Sequence, residues 1–296
     1  MRLSVVLGQW LDRPLGSDLE LARAADRLGF RQLWVPEMAK ADSPAMAGII
    51  AGHTERIELV LGPLAVTVRS PAQIAIALQT VASTGRAVHV ALGTSSVTVA
   101  RWHGRSRAGA ADALARALCE VRALLAGERV NGFRLSEPPP QAPTITVAAF
   151  GPRAVEIARA ADRMALNMVT VDAARRLAVS HPNTVAWLCV AVDPTEQQRR
   201  WLTRGFVGYL AAPGYDQMFV DAGFGDLVEF ARTRPSPKDL FERVPDDLLD
   251  HVALVGDEPT VRARVIEYEA AGLAEIGLVP AAPDLGGIAT LEAIGV

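Results

Sequence analysis

Residues 144–162, TITVAAFGPRAVEIARAAD, carry the pattern that decides the fold. The first part, 144–149, is β-branched and small apolar throughout, which predicts a fully buried strand of the kind found in parallel sheets. Residues 150–153 predict a turn, and the apolar and charged positions after them predict an amphipathic helix. Pro152 suits the first helical turn, because its missing N–H needs no partner there. The stretch therefore predicts a strand, a turn at its carboxyl end and a helix.

The turn has two interpretations. Gly151 allows a ligand to approach the backbone closely. The unpaired N–H groups of the first helical turn, together with Arg153, predict an anion site that suits a cofactor phosphate. The alternative is an ordinary turn without a ligand, and this stretch alone leaves both open.

Seven further short apolar segments alternate with helical patterns, at residues 3–7, 32–35, 57–61, 87–92, 165–170, 184–192 and 275–279. Eight such strands separated by helices predict an α/β fold, a (β/α)8 TIM barrel with insertions. A doubly wound open sheet is the alternative, but Gly8-Gln9-Trp10-Leu11 follows the first strand where a dinucleotide-binding turn has G-x-G-x-x-G. The polar, loop-rich residues 195–250 predict a mostly helical insertion into one domain that spans residues 1–296.

Composition argues against several classes of partner. The chain has 296 residues, half of them apolar, a net charge of −3 and a pI near 6.0, which disfavours nucleic-acid binding. It contains no apolar run long enough to span a bilayer and no signal-peptide pattern, so we expect a cytoplasmic protein that contacts no membrane. The two cysteines have no metal-ligand spacing around them, so we expect no metal site.

One region departs from this average. Residues 59–111 contain no Asp or Glu but several arginines, and the segment RWHGRSR at 101–107 lies outside any apolar pattern. It predicts an exposed cationic loop, suited to phosphate or carboxylate groups.

Several fragments together resemble the luciferase-like monooxygenase superfamily and, within it, the branch that uses the deazaflavin coenzyme F420. They include LWVPE (33–37), TERI (54–57), LGP (61–63), RSP (69–71), LGT (92–94), WHG (102–104), AFGPRA (149–154), LVGD (254–257) and AGLAEI (271–276). Each is short, but their order and spacing extend over nearly the whole chain. The resemblance implies a barrel that holds a flavin or deazaflavin ring at its mouth and acts on a small-molecule substrate.

The resemblance also implies roles for individual residues. Pro63, Leu64 and Ala65 would form a bulge behind the ring, often with a non-prolyl cis peptide bond. Thr94, Ser95 and Ser96 would line the ring or its ribityl chain. The remaining residues expected to bind the cofactor, mostly around its phosphate, are Thr67, Ala149, Phe150, Gly151, Pro152, Arg153 and Thr170.

The basic stretch favours F420 over FMN. The oligoglutamate tail of F420 is polyanionic, whereas FMN ends at its phosphate, so Arg101 and Arg105 would have a partner only in F420. We therefore expect an F420-dependent oxidoreductase that transfers a hydride between the cofactor and a small organic substrate. The alternatives are an FMN-dependent two-component monooxygenase and a relative that has lost catalysis.

Two residues are candidates for acid–base chemistry. Glu37 ends the second strand, where F420-dependent relatives often carry an acidic residue, although Met38 follows it where many relatives have His or Thr. His103, in the basic loop, could fill the role of proton donor. Solvation at a strand end and contact with a phosphate are the simpler alternatives for the two. Trp10, at the end of the first strand, is predicted to wall the substrate pocket.

The helix predicted at residues 72–83 is apolar nearly all round. Such a helix needs cover on both faces, so we expect a homodimer that packs through it.

Overall fold

Eight parallel strands close into a barrel in the computed structural model, which describes residues 1–295. In chain order they are β1 (Arg2–Val6), β2 (Gln32–Val35), β3 (Glu58–Ala65), β4 (Val88–Gly93), β5 (Ile145–Ala148), β6 (Arg163–Asn167), β7 (Thr184–Val192) and β9 (Glu275–Pro280). Each pairs with the next, and the ring closes because β9 pairs with both β7 and β1. The predicted (β/α)8 barrel is confirmed, and the closure excludes the open sheet.

A ninth strand, β8 (Ala253–Gly256), lies outside the ring and was not expected. It pairs with the last four residues of β7, beyond the point where β6 ends. Its four residues form too short an apolar run to show a strand period. Because β7 is nine residues long, it has room for β6 and β8 in succession along one edge.

The helices cover the barrel. They are α1 (Leu15–Arg27), α2 (Ser43–Ala51), α3 (Pro71–Ala82), α4 (Val97–Trp102), α5 (Ala110–Leu125), α6 (Pro152–Ala158), α7 (Val171–Ala178), α13 (Glu258–Ala270) and α14 (Gly287–Ile294). Sequence signals explain several starts: Ser70 and Gln73 form a capping box before α3, and Asp42 caps α2. Within residues 1–295, no helix has the length and apolar character needed to cross a membrane.

Five more helices lie between β7 and β8, namely α8 (Glu196–Thr203), α9 (Tyr215–Asp221), α10 (Gly225–Arg232), α11 (Pro237–Glu242) and α12 (Leu248–Val252). Phe206, Leu210 and Phe219 from this segment are fully buried and belong to the same apolar core as the barrel strands. The segment 195–250 is therefore anchored on the barrel by its own apolar side chains.

Two tryptophans fill the middle of the barrel. Trp34 of β2 is fully buried, and its ring meets that of Trp187 on β7 edge to face, 5.3 Å between centroids. Gly277 on β9 makes room for this pair, because a Cβ there would lie 2.6 Å from the Trp187 ring. The interior is a packed core and not a channel, as in other barrels of this kind.

Candidate functional site at the carboxyl end of the barrel

The carboxyl ends of β3 and β4 form an irregular wall at the barrel mouth. Their pairing shifts register between Leu61 and Leu64, so Gly62 and Pro63 form a β-bulge. The resemblance implies a bulge at Pro63, Leu64 and Ala65, whereas Leu64 and Ala65 pair regularly with Leu92 and Gly93. The cis peptide bond of the bulge joins Gly62 to Pro63 and is prolyl, which corrects the expectation of a non-prolyl one.

Small side chains form this wall. A Cβ on Gly93, the last residue of β4, would lie 3.2 Å from the Pro63 Cβ and 3.6 Å from the Ala148 Cβ. Leu64 and Ala65 are buried behind the bulge. The side chains of this wall are therefore small or apolar.

Thr67 follows the bulge and has an unusual environment. Its Oγ1 is buried, and no residue of the described chain, 1–295, hydrogen-bonds to it. A buried hydroxyl without a partner is unfavourable by roughly 1–3 kcal/mol. A polar atom of a bound ring would satisfy it, so this residue fits the predicted contact with the cofactor.

A cavity of about 720 Å³ lies between the residues that follow β2 and helices α3 and α4, and none of the wall residues lines it. Its lining includes both residues predicted to be catalytic, Glu37 and His103, together with Met38, Lys40, Arg69 and Trp102. The structure therefore brings the two candidates to one cavity, although they lie far apart in sequence.

Within this cavity, Glu37 is held by several donors. Arg69 donates from Nε to Oε1 at 2.8 Å and from Nη2 to Oε2 at 2.7 Å, and the Ser43 N–H donates to Oε2 at 3.0 Å. The hydrogen bonds from Arg69 to Glu37 raise the pKa of the guanidinium, and Asp42, which also contacts Arg69, adds to the effect. Both carboxylate oxygens of Glu37 are therefore occupied as acceptors, an arrangement suited to shaping the cavity wall.

The basic stretch adopts two roles. Arg107 anchors the loop to the end of β4, because its Nε donates to the Ser95 carbonyl at 2.6 Å and its Nη2 to Thr94 Oγ1 at 2.7 Å. Arg101 and Arg105 are exposed, and neither forms a side-chain hydrogen bond or ion pair within residues 1–295. These two guanidinium groups remain available to an anion.

Ser96 and Thr170 act as helix caps. Ser96 Oγ accepts from the Val99 N–H at the start of α4, and Thr170 Oγ1 accepts from the Ala173 N–H at the start of α7. Each hydroxyl therefore already has one partner in the fold, and Thr170 is buried.

The predicted phosphate segment lies at the end of β5. Gly151 is the residue before α6, Pro152 opens that helix, and Ala149 is buried at the strand end. Arg153 is exposed and pairs with Asp112 on α5 at 3.2 Å. An ion pair this exposed contributes little to the stability of the fold. A Cβ on Gly151 would meet no atom within 4 Å, so the backbone there is open to a ligand.

Phe150, in the same segment, is covered from the insertion. Its ring stacks on Tyr215 with centroids 4.0 Å apart and planes inclined by 15°. Gly214, just before Tyr215, has φ +91°, and a Cβ there would lie 2.9 Å from the Phe150 ring. Residues 214–215 thus close this side of the mouth over Phe150.

Trp10 joins the opposite side of the mouth to the insertion. Its Nε1 donates to the Pro280 carbonyl at 3.2 Å, and its ring lies 4.2 Å from that of Trp201. Gly8 is required beneath it, because any Cβ there would overlap the Trp10 ring. Trp10 therefore lies near the end of β9, and part of its surface is used to hold α8.

The structure adds residues that sequence reasoning missed. Arg69, Asp42 and Lys40 line the cavity beside Glu37, and Tyr215 covers Phe150. The fragment RSP at 69–71 leads into α3, and this place at a helix start is the sequence signal that could have indicated Arg69. Tyr215 lies in the insertion, where the sequence contains no motif.

Comparison with known proteins places the chain in a family. Residues 6–275 match the family model of the luciferase-like monooxygenases, and the chain belongs to that family. No protein of curated function matches the sequence closely enough to count as a relative.

Solved structures share the fold at low identity. The coenzyme F420-dependent tetrahydromethanopterin reductase from Methanopyrus kandleri is 15% identical, with a TM-score of 0.82 over 100% of this chain and 99% of that one. An F420-dependent secondary alcohol dehydrogenase in complex with an F420–acetone adduct is 16% identical, with a TM-score of 0.78 over 100% and 99%. The oxygenating constituent of 3,6-diketocamphane monooxygenase from Pseudomonas putida, in complex with FMN, is 17% identical, with a TM-score of 0.71 over 100% and 97%. The neighbours are thus oxidoreductases and monooxygenases on one scaffold.

Proposed function

We propose that this protein is an F420-dependent oxidoreductase that transfers a hydride between the deazaflavin and a small organic substrate. One observation carries the choice of cofactor: Arg101 and Arg105 are exposed beside the mouth and have no ionic partner within residues 1–295. An extended, polyanionic cofactor tail would supply one.

The walls of the mouth support this proposal. When bound, the deazaflavin supplies a carbon that gives or accepts a hydride. The bulge at Pro63 and the small residue Gly93 provide a flat face for the ring, and the unpaired Thr67 hydroxyl offers it a hydrogen bond. Thr94 and Ser95 are held next to this face by Arg107.

The phosphate would lie at the end of β5. Gly151 leaves the backbone open there, and Arg153 would exchange its exposed contact with Asp112 for the phosphate. Ala149, Phe150 and Pro152 shape this segment, with Phe150 held in place by Tyr215.

In this proposal Glu37 is a positioning residue and His103 is the candidate proton donor. The Arg69 pair keeps the Glu37 carboxylate occupied, whereas His103 lies exposed at the end of α4 on the same cavity. Trp10 would form the wall of the substrate pocket on the opposite side of the mouth.

Binding measurements test the cofactor directly. The purified protein is titrated with F420, with a deazaflavin that lacks the tail, and with reduced FMN. We expect F420 to bind more tightly than the tail-less deazaflavin, and the variants Arg101→Ala and Arg105→Ala to weaken F420 binding severalfold while leaving the tail-less form unchanged. Equal losses for both ligands would contradict the role given to these arginines.

The alternative is an FMN-dependent luciferase-like monooxygenase, favoured by the FMN complex among the structural neighbours. Micromolar binding of reduced FMN without binding of F420 would replace the proposed cofactor. Binding of neither ligand would favour a relative without catalysis.

We also propose a homodimer that packs through α2 and α3. Ile76 on α3 and Ile49 on α2 are about half exposed on neighbouring helices, while Ile74 and Leu78 of α3 are buried in the chain's own core. Light scattering of the wild type and of Ile76→Glu tests this, and an unchanged mass for the variant would contradict it. The control is Val179→Glu, which alters an exposed apolar side chain directly after α7.

A further inference from the structure

The opposite end of the barrel contains a second polar cavity. About 720 Å³ in volume, it is bounded by the first residues of several strands, among them Arg2, Gln32, Glu58, Arg163 and Glu275. In barrels of this fold the reaction takes place at the carboxyl ends of the strands, so this cavity is separate from the site described above. Trp34 and Trp187 fill the interior between the two ends.

Arg163 is the central cation of this cavity. Its side chain is 92% buried, since only 8% of its surface is accessible. Nη1 donates to Gln32 Oε1 at 2.8 Å and to Glu275 Oε2 at 3.3 Å, and Nε donates to Thr146 Oγ1 at 3.2 Å. The guanidinium also lies over the Trp34 ring, 4.8 Å from its centroid. These contacts fix the orientation of the group.

One nitrogen of this buried cation has no acceptor. Arg163 Nη2 is buried and finds no hydrogen-bond partner in the described chain, residues 1–295. The same holds for Thr144 Oγ1, a second buried polar atom on the wall of this cavity. Leaving a charged donor unpaired in the interior is unfavourable, and the two unpaired atoms belong to residues that line the same cavity, which points to a polar ligand there.

The charge of the wall indicates the sign of that ligand. Arg262 pairs with Glu258 and the Met1 ammonium pairs with Glu269, both outside the cavity lining, so the remaining cations are Arg2, Arg31 and Arg163. Among residues 1–295, the carboxylates that pair with these cations are those of Glu58 and Glu275. His89 adds no charge at neutral pH, because burial, and after it the nearby Arg163, lower the pKa of its ring. Among the remaining groups, the described lining, within residues 1–295, therefore carries one more positive than negative charge.

We propose that this cavity is a second binding site, for a small oxyanion of the carboxylate or phosphate class. An anionic oxygen would accept from Arg163 Nη2 and from the Thr144 hydroxyl at the same time. Because the guanidinium is fixed by Gln32, Glu275 and Thr146, the donor is preorganised, which lowers the entropic cost of binding. The volume admits a molecule of metabolite size.

Thermal unfolding of the full-length protein tests this, with inorganic phosphate or malonate as probe and sodium chloride at matched ionic strength as reference. We expect each successful probe, at ten times its dissociation constant, to raise the melting temperature by about 3 °C above the chloride reference. The larger of the two shifts identifies phosphate or carboxylate as the preferred group.

Variants locate the binding. The double variant Arg163→Met/Glu275→Gln removes the cation together with its buried counter-charge, and we expect it to lose the shift. Thr144→Val removes only the hydroxyl and should weaken binding of the effective probe at least threefold, so it carries the test if the double variant does not fold. The variant Arg153→Gln removes the cation of the phosphate site proposed at the barrel mouth, and the part of the shift that comes from the second site should persist in it.

Three outcomes would overturn the proposal. The first is a wild-type shift no larger than that given by chloride, which would make the cluster a purely structural one. The second is a full shift in the double variant or in Thr144→Val. The third is complete loss of the shift in Arg153→Gln, which would place the anion at the barrel mouth.

Discussion

The Arg69 guanidinium holds the Glu37 carboxylate in a bidentate pair, with N···O distances of 2.8 and 2.7 Å. A planar fork of this kind fixes both side chains more firmly than a single contact does. Since Glu37 lies two residues after β2 and Arg69 precedes α3, the pair ties two loops together at the edge of the cavity.

The first prediction concerns this pair. Glu37→Gln removes the charge that Arg69 faces, and we expect a loss of about 1–3 kcal/mol in the free energy of unfolding and weaker cofactor binding, but residual turnover. Chemical unfolding and steady-state kinetics of the same preparation measure both. Asp42→Asn, which removes the more exposed partner of Arg69, serves as the control and should have a smaller effect. Complete loss of turnover with unchanged cofactor binding and stability would instead make Glu37 catalytic.

The second prediction concerns Asp26 at the end of α1. Its carboxylate accepts from the backbone N–H groups of Glu55, Arg56 and Ile57 at 2.7, 3.0 and 2.8 Å. Burial alone would raise the pKa of this carboxyl, but the three donors together outweigh it and lower the pKa below 3.8. Asp26→Asn should therefore lower the free energy of unfolding by about 1–3 kcal/mol at neutral pH, because an amide offers a single, uncharged acceptor.

The pH dependence of that loss follows from the lowered pKa. The stabilisation is fully present above pH 3.8 and disappears as the pH falls through the folded-state pKa. Denaturant unfolding of the wild type and of Asp26→Asn at several pH values should show a deficit that shrinks only in strong acid. The exposed Asp112→Asn is a suitable control, and an equal deficit in that variant would contradict the explanation.

The third prediction concerns His89. Its Nδ1 accepts from the Thr144 N–H at 3.1 Å, so the ring proton lies on Nε2, 3.4 Å from Glu58 Oε2. Burial is the main cause of the lowered pKa, and Arg163 is the next. The unfolded chain binds a proton near pH 6.5 while the folded one does not, so stability is full above that pH and falls as the pH drops below it.

Comparison with His89→Asn isolates this contribution. Between pH 7.5 and pH 5 we expect the free energy of unfolding to fall more steeply in the wild type than in the variant, measured in urea. Parallel curves would show that other groups cause the acid dependence.

The fourth prediction concerns Trp10, which joins the barrel mouth to α8 through Trp201. Trp10→Ala should open the insertion locally, because an aromatic contact and a hydrogen bond to Pro280 are lost together. Trypsin should then cleave severalfold faster after Arg200 and Arg204. Trp102→Ala, which removes an exposed tryptophan on α4, is the control. Similar cleavage rates in both variants would contradict the role of Trp10 as an anchor.

The barrel could be predicted because each of its eight strands is a distinct apolar run, and helices with clear caps separate them. The strand β8 could not be predicted, because its four residues directly follow α12 and show no alternation of apolar and polar side chains. Phe150 and Tyr215 lie far apart in the chain, and nothing about either residue in the sequence predicts that the two rings stack. The same applies to Arg69 and Glu37, whose pairing depends on the relative position of two loops.

The polar cluster at the amino ends of the strands could not be inferred from any motif. Arg163 and Glu275 each appear in the sequence as an ordinary charge at the start of an apolar run. Only ring closure brings them to 3.3 Å from one another.

The indole rings of Trp34 and Trp187 pack against each other in the core of the barrel. Because Gly277 has no side chain, the Trp187 ring occupies the space where a Cβ of that glycine would lie. Position 277 therefore admits no larger residue unless the Trp187 ring moves, because a Cβ there would lie 2.6 Å from that ring.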